Sequence, residues 1–386
     1  MKLSNFLLIL FSSTYIICAQ PSSIYHIDKY MPLIEGRSVA LVVNHSSVIH
    51  ETHLVDTLID LNINIQAIFS PEHGFFGNLD AGQLVPNVLY NDTIDIISLY
   101  GKNKKPSVVS LKDVDVIVFD MQDVGVRFYT YISTLHYVME ACAENNITLI
   151  VLDRPNLHVN YVDGPIMTDD YMSFVGLHPV PIVYGMTIGE YASMINGERW
   201  ISTICDLLII KMDNYNRDII YELEINPSPN LPNNRSIYLY PSLCLFEGTN
   251  ISVGRGTLFP FQHFGAPYLK GDYSFIPTES VASKYPKYQD EICFGTDLRF
   301  DQKYNPHYLM TLNKPLQSIN LNWIINSYRQ CPDKEYFFNS FFDKLAGSDK
   351  LRIQIVEGAS AYDIKRSWAQ GLSDFQLIRK KYLLYN

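Results

Sequence analysis

Short runs of Val and Ile alternate with helical patterns through the first half of the chain, and this alternation restricts the fold more than any other feature. Strands are predicted at residues 39–43, 63–69, 94–99, 114–119 and 147–152. Helices are predicted near 53–61 and at 132–142, where apolar residues recur at helical spacing. Strands that are apolar on both faces and alternate with helices are typical of a parallel sheet covered on each side. The sequence therefore predicts an α/β fold.

The second half has a different pattern and begins at a loop rich in Pro and Asn. A predicted helix at 187–195 and a strand at 207–211 precede this loop. Residues 226–234 read NPSPNLPNN, and each Pro removes a backbone donor, which predicts loop structure. A final helix is predicted at 362–382. Because 386 residues exceed the usual length of one domain, we predict two domains, at 21–225 and 226–386.

The amino-terminal residues have the pattern of an export signal. Lys2 precedes an apolar stretch that ends near Cys18, and no acidic residue occurs before Asp28. This stretch is too short to span a bilayer stably, and small residues follow it. We therefore predict a signal peptide at 1–20 and an exported protein, periplasmic or extracellular. Attachment of a lipid at Cys18 is the alternative, because this Cys lies at the end of the apolar run.

Charge and cysteine usage exclude several classes of function. The net charge of −10 disfavours binding to nucleic acid or to anionic lipid, since both require a basic face. No second run of eighteen apolar residues follows the leader, so no transmembrane segment is expected. The chain has six Cys, without a C-x-x-C pair, which disfavours a disulfide scaffold or a zinc cluster. The motif at 50–53, HETH, is one residue short of H-E-x-x-H, and we expect no metal site.

Polar side chains follow the predicted strands at their carboxyl ends. In parallel sheets, ligands bind beyond this edge, so the coincidence indicates a site there. Neither a G-x-G-x-x-G motif nor a G-x-x-x-x-G-K-[ST] motif is present, which disfavours dinucleotides and nucleoside triphosphates. We accordingly expect no cofactor. The residues at the strand ends are Asn44, His45, Glu72, His73, Asp120, Asp123, Asp153 and Arg154.

Three groups of residues are candidates for chemistry. Glu72 lies beside His73 and two Phe residues, where partial withdrawal from water favours the protonated form that a general acid requires. A helix cap or an Arg partner is the structural alternative for this carboxyl. Asp123 and Arg127 lie with two tyrosines in residues 120–131, DMQDVGVRFYTY, a pattern that suits a hydroxylated or carboxylated ligand. A structural Asp–Arg pair explains that segment equally well.

The third group, Glu247, Asn250 and Arg255, lies in the second half within glycine-rich turns. A cleft between the two domains would bring Glu247 opposite Glu72. Two carboxyl groups that flank a scissile bond are the minimum requirement for glycoside hydrolysis. A turn in which Asn250 bonds to its own backbone is the structural alternative.

Five motifs in order resemble the NamZ-like exo-β-N-acetylmuramidases, a family long known as a domain of unknown function. They occupy residues 70–77 (SPEHGFFG), 120–131, 153–156 (DRPN), 228–232 (SPNLP) and 246–257 (FEGTNISVGRGT). The resemblance extends from about residue 34 to the carboxyl end. It implies a Rossmann-like domain and a smaller α/β domain, with the active site in the cleft between them.

The resemblance also implies an activity and roles for individual residues. It implies release of terminal N-acetylmuramic acid from the non-reducing ends of peptidoglycan fragments, with Glu72 as the leading catalytic carboxyl. Glu247 and Asp123 are both candidates for the second catalytic group. The residues implied or expected to bind the saccharide are Asn44, His73, Arg127, Tyr129, Tyr131, Asn250 and Arg255. Two other functions stay open, a non-catalytic muropeptide-binding protein and a metal-dependent amidase that acts on the peptide stem.

Overall fold

A computed structural model describes residues 22–80, 82–83, 87–305, 308–309 and 318–385. The predicted signal peptide at 1–20 and Cys18 lie outside the described residues. Among the described residues, no helix is both long enough and apolar enough to cross a membrane. The other five cysteines are buried and unpaired, and Cys142 and Cys205 pack in the main hydrophobic core.

A seven-stranded, mostly parallel sheet forms the centre of the molecule, which confirms the predicted α/β fold. Its strand order is β5-β6-β4-β1-β7-β8-β9, and only the edge strand β5 is antiparallel to its neighbour. The strands are β1 Ser38–Val43, β4 Asn64–Ser70, β5 Val88–Tyr90, β6 Ile94–Ser98, β7 Val116–Asp120, β8 Thr148–Leu152 and β9 Leu207–Ile210. The short pair β2 Val48–Ile49 and β3 Thr52–His53 forms a separate hairpin.

Burial explains why the central strands have almost continuous apolar sequences. Every residue of β7 is buried, as are the last five residues of β1. Helices and loops cover both faces of such strands, so neither face needs polar side chains. In β7 the only polar residue is Asp120, at the end of the strand that faces the site.

Nine helices are described, and their ends follow ordinary capping rules. They are α1 Ile27–Ile34, α2 Leu54–Asp60, α3 Tyr131–Asn145, α4 Ile188–Gly197, α5 Asn234–Leu243, α6 Asn322–Gln330, α7 Phe341–Ala346, α8 Lys350–Val356 and α9 Ala361–Arg379. Thr187 and Glu190 form a reciprocal capping box at the start of α4. Asn146 ends α3 in the left-handed conformation, which Asn tolerates better than most residues.

The second half contains a small antiparallel sheet and packs directly against the first half. Its strands are β10 His263–Ala266, β11 Tyr273–Phe275 and β12 Cys293–Asp297, in the order β10-β12-β11. One hydrophobic cluster includes Phe119 of the central sheet together with Tyr238 and Phe342 of the second half. The domain boundary at 225/226 stays a prediction.

Residues after α9 return to the first half of the chain. The predicted final helix ends at Arg379 and continues as a 3₁₀ turn to Tyr382. The Arg379 guanidinium donates hydrogen bonds to the carbonyl oxygens of Val159 and Gly185. Further along, the Tyr385 hydroxyl donates to Asp153 at 2.6 Å, beyond the end of β8. This segment therefore supports the edge of the sheet at which the site lies.

Candidate active site

A cavity of about 520 Å³ lies beyond the carboxyl ends of β4, β6 and β7 and is closed by residues of the second half. This volume lies within the range of ordinary small-molecule sites. The candidate residues on its walls are Glu72, His73, Tyr129, Tyr131, Glu247 and Arg255. The structure thus brings together six of the ten predicted site residues, drawn from two of the three candidate groups and the tyrosine pair.

Glu72 lies just after β4 and is held by neighbouring donors. The backbone amide of Gly82 donates to its Oε1 at 3.0 Å, and the Thr130 hydroxyl donates to its Oε2 at 2.8 Å. The Tyr100 hydroxyl also bonds to this carboxyl. These donors fix the orientation of a side chain that remains only partly buried.

The turn that carries Glu72 is unusually compact. His73 and Gly77 both have positive φ angles, of 69° and 62°. A Cβ atom on Gly77 would lie 1.9 Å from Nδ1 of His45, so only Gly fits there. The Nδ1 atom of His73 donates to the Leu79 carbonyl at 2.8 Å, which fixes the ring beside the cavity.

Tyr129 and Tyr131 form one wall of the cavity. Their rings meet edge to face at 4.6 Å, and both hydroxyls donate to the Pro227 carbonyl of the Pro-rich loop. Burial raises the pKa of both phenols, so they remain protonated donors. Asn44 does not line the cavity, but its amide donates to the Tyr131 hydroxyl at 2.7 Å and so positions that ring.

Glu247 and Arg255 form the opposite wall. The Arg255 Nε donates to a Glu247 oxygen at 3.0 Å, and about 20% of each side chain is exposed. Burial raises the pKa of Glu247, but the charges of Arg255 and Lys287 outweigh this effect and hold the pKa below its ordinary value. Glu247 is therefore a carboxylate at neutral pH. The Nη1 atom of Arg255 is buried without a hydrogen-bond partner among the described residues, and the guanidinium carbon lies 5.0 Å from the centre of the Phe261 ring.

Asp123 lies behind the site and does not line the cavity. Its Oδ2 accepts hydrogen bonds from the Gly125 amide, at 2.7 Å, and from the Tyr184 hydroxyl. Burial raises its pKa to about 6, although these donors oppose the shift. A fully enclosed carboxyl without access to the cavity has no direct route to a glycosidic bond, so the geometry favours Glu247 as the second carboxyl.

Arg127 is a structural residue in this arrangement. Its guanidinium is completely buried and donates to the carbonyls of Pro165, Val180 and Leu345 at 2.6–2.9 Å. Burial lowers its pKa to about 9. It pairs with backbone rather than with Asp123, and it joins the first half to the second instead of contacting the cavity.

Asn250 also lies outside the cavity, because its amide is occupied elsewhere. Its Oδ1 accepts from the Tyr268 hydroxyl at 2.5 Å, and its Nδ2 lies 3.6 Å from the Cys331 sulfur. These contacts differ from both expectations for Asn250, which were binding to the saccharide and a hydrogen bond to its own backbone. Asn250 instead ties the Glu247 segment to the rest of the second half.

Several cavity residues were absent from the predicted set. Tyr100 follows β6 at the same sheet edge as Glu72, so the strand-end pattern could have identified it. Phe174 and Lys104 lie in loops without a local signal, and the Lys104 ammonium lies 4.8 Å from the centre of the Phe174 ring. Thr130 stands inside the predicted 120–131 motif, where only its tertiary contact to Glu72 reveals its role.

In the described part of the chain, no group of three or more His, Cys, Asp or Glu side chains converges as a metal site would require. The cavity instead carries two carboxyl groups on opposite walls, several hydroxyl donors and aromatic ring faces. Tyr rings pack against sugar faces, and paired carboxyl groups can supply a proton and stabilise positive charge at an anomeric carbon. This combination suits the hydrolysis of a glycoside.

Two family models match consecutive parts of the chain. Residues 39–235 match "Exo-beta-N-acetylmuramidase NamZ, N-terminal", and residues 238–385 match the corresponding C-terminal model. Together they cover the Glu72 turn and the Glu247 segment. The two models meet close to the Pro-rich loop.

Relatives with names or solved structures agree with these matches. The chain is 38% identical to the peptidoglycan β-N-acetylmuramidase NamZ of Bacillus subtilis, over 93% of this chain and 89% of that protein. A crystal structure of a DUF1343 family protein from Bacteroides fragilis superposes with a TM-score of 0.84 at 42% identity, over 95% of this chain and 98% of that one. A second protein of that family from the same organism gives 0.75 at 29% identity, with the same coverage. The protein described here therefore belongs to the NamZ family of exo-β-N-acetylmuramidases, which are glycosidases.

Proposed function

We propose that the protein is an exo-β-N-acetylmuramidase that releases terminal N-acetylmuramic acid from the non-reducing ends of peptidoglycan fragments. The observation that carries this proposal is that Glu72 of the first half and Glu247 of the second half line the same cavity. The peptidoglycan substrate follows from the Bacillus relative, whose name states it. Removal of a terminal sugar fits a cavity closed by both halves of the chain better than an open groove.

In this mechanism the two carboxyl groups have different roles. Glu72 donates a proton to the glycosidic oxygen while the bond from that oxygen to the anomeric carbon breaks. Glu247 stays ionised beside Arg255 and faces the positive charge that develops at the anomeric carbon. Water then adds to the anomeric carbon and supplies the hydroxyl group of the released sugar, while its other proton returns to Glu72. No cofactor takes part in this scheme.

Arg255, which lines the cavity, suits the group that distinguishes muramic acid from glucosamine. Muramic acid carries a lactyl ether with a carboxylate, and a guanidinium binds a carboxylate through charge-assisted hydrogen bonds. The Nε of Arg255 is occupied by Glu247, whereas Nη1 has no partner among the described residues. Arg255 therefore replaces Arg127 as the candidate for this contact.

Defined disaccharides test the activity. The protein is incubated with N-acetylmuramyl-β-1,4-N-acetylglucosamine and, separately, with the reversed disaccharide, and the products are identified by mass. Free N-acetylmuramic acid from the first substrate alone is the expected result. Binding of either sugar without any product would favour the muropeptide-binding alternative. A muropeptide that carries its peptide stem is incubated in parallel, and release of peptide from its intact glycan, abolished by a chelator, would favour the amidase.

We also propose that the protein is exported, on the basis of the apolar leader at 1–20. Fractionation of cells that express the full chain, followed by amino-terminal sequencing, tests this proposal. A mature protein that begins after Ala19 or Gln20 is expected. A lipid-modified form that disappears in Cys18→Ser would indicate lipoprotein processing, and an uncleaved cytoplasmic protein would contradict export.

A further inference from the structure

Lys287 lies behind the Glu247 wall of the cavity and contacts the backbone of that wall. Its ammonium donates to the carbonyls of Thr249, Phe246 and Glu247 at 2.7, 3.0 and 3.1 Å, with Ile251 further away at 3.4 Å. The Lys287 ammonium thus contacts four carbonyl oxygens within residues 246–251.

A cation is favourable at these carbonyls because of where they lie, although the Phe246 carbonyl also accepts from the amide and the hydroxyl of Thr249. Helix α5 continues into a 3₁₀ turn at Cys244–Gly248 and ends there. The last carbonyls of a helix have no partner within it, and a cation near them is favourable. Tyr288, which follows Lys287, adds a further contact, because its hydroxyl donates to the Asn250 carbonyl at 2.6 Å. Lys287 and Tyr288 together hold the whole Glu247–Ile251 backbone.

The segment that carries Lys287 is also fixed against the turn that carries Arg255. The Thr278 amide donates to the Gly256 carbonyl at 2.9 Å. A Cβ atom on Gly256 would lie 2.3 Å from the Thr278 carbonyl oxygen and 2.8 Å from the Pro286 ring. Lys287, Arg255 and Glu247 are therefore brought together by close backbone packing, rather than by flexible surface side chains.

We propose that Lys287 is a positioning residue for the reaction, because its ammonium fixes the backbone of Glu247 and adds a positive charge beside the Glu247–Arg255 pair. This inference rests on the proposed function, in which Glu247 acts as a carboxylate. The charged groups that face Glu247 are Arg255 and Lys287, and the titratable groups beside them are Cys244 and Tyr240. Burial raises the pKa of both Cys244 and Tyr240, so neither carries charge near neutral pH.

The pH dependence of kcat/KM separates this role from a purely structural one. Without the Lys287 charge, the pKa of Glu247 rises, so the acidic limb of the profile shifts upward, by about 0.5–1 pH unit. Two neutral variants are compared, Lys287→Met and Lys287→Gln, since Gln retains part of the hydrogen bonding. Both should shift the limb and lower kcat by about 10–100-fold with little change in KM. Lys287→Arg keeps the charge, so the acidic limb of its pH profile should match that of the wild type.

The exposed Lys270 provides the matched control, because Lys270→Met removes an equal charge away from the cavity. Circular dichroism and thermal unfolding establish that each variant is folded. A folded Lys287→Gln with the wild-type pH profile overturns the proposal. Failure of both neutral variants to fold also counts against it, since Lys287 would then serve the whole fold. An inactive wild-type protein would instead overturn the proposed function.

Discussion

At the scale of single residues, Arg127 and Arg255 show how little a motif says about the role of its arginine. Both occur in motifs that suggested ligand binding. Arg127 is completely buried and donates to three backbone carbonyls, whereas Arg255 lines the cavity and pairs with Glu247. The sequence contains no signal that separates them, because the carbonyls that occupy Arg127 belong to residues far away in the chain.

Glu72 should be essential for turnover but not for folding. In Glu72→Gln the side chain keeps its shape but cannot donate a proton to the leaving oxygen, so kcat should fall by about 10²–10⁴-fold. The measurement is hydrolysis of a chromogenic muramic acid glycoside whose leaving group requires protonation. Glu51→Gln, at an exposed position of the β2–β3 hairpin, serves as the matched control. Near wild-type turnover in Glu72→Gln would remove Glu72 from the mechanism.

Arg255 should determine the preference for muramic acid over glucosamine. The two glycosides differ only in the lactyl group, so the ratio of their kcat/KM values isolates the contact with its carboxylate. In Arg255→Met this ratio should fall by about 10–100-fold, because a hydrogen bond to a charged group contributes roughly 1.5–3 kcal/mol. Arg366→Met removes an exposed guanidinium as a control. An unchanged ratio would mean that the carboxylate is bound elsewhere.

At the scale of elements, most of the fold was predictable and most of the site geometry was not. The central strands were predicted within about two residues of their ends, since their apolar sequences follow from burial on both faces. Strand β5 and the β2–β3 hairpin were missed because they are only two or three residues long. Glu72 was identifiable because it follows a strand at the correct edge. The isolation of Asp123 behind the cavity depends on the distant Tyr184, which no local pattern indicates.

The turn after β4 should tolerate no side chain at Gly77. Gly77 and Gly36 both have positive φ, but only Gly77 packs against a neighbour, the His45 ring. Gly36→Ala should lower the free energy of unfolding by about 1–2 kcal/mol, the cost of the left-handed conformation alone. Gly77→Ala adds overpacking and should cost about 2–4 kcal/mol, with reduced kcat as the Glu72 turn shifts. Denaturant unfolding of Gly36→Ala and Gly77→Ala measures both losses of stability. Equal losses in the two variants would contradict this explanation.

At the scale of the whole molecule, the two halves depend on each other. The Arg127 guanidinium in the first half donates to the Leu345 carbonyl in the second, and Lys365 of α9 bonds to Asp163 at 2.6 Å. Glu72 and Glu247, the proposed catalytic pair, lie on different sides of this junction. The packing of the two halves therefore sets the distance between these carboxyl groups.

Tyr385 should contribute to the stability of the central sheet despite its distance from it in sequence. Its hydroxyl donates to Asp153 at 2.6 Å and accepts from the Met212 amide at 3.1 Å. Tyr385→Phe leaves both partners short of one hydrogen bond and should cost about 1–3 kcal/mol. The midpoint of denaturant unfolding measures this loss. Tyr362→Phe, at an exposed position of α9, should have no effect, and equal midpoints for the two variants would refute the prediction.

The attachment of residues 379–385 to the first half has a consequence for the order in which the chain can fold. The Leu384 amide donates to Glu190, and Tyr385 donates to Asp153, although these acceptors are synthesised 194 and 232 residues earlier. Until residue 385 has left the ribosome, these buried carboxyl groups lack two of their donors. The edge of the parallel sheet at Asp153 therefore gains these contacts only after most of the second half has been synthesised.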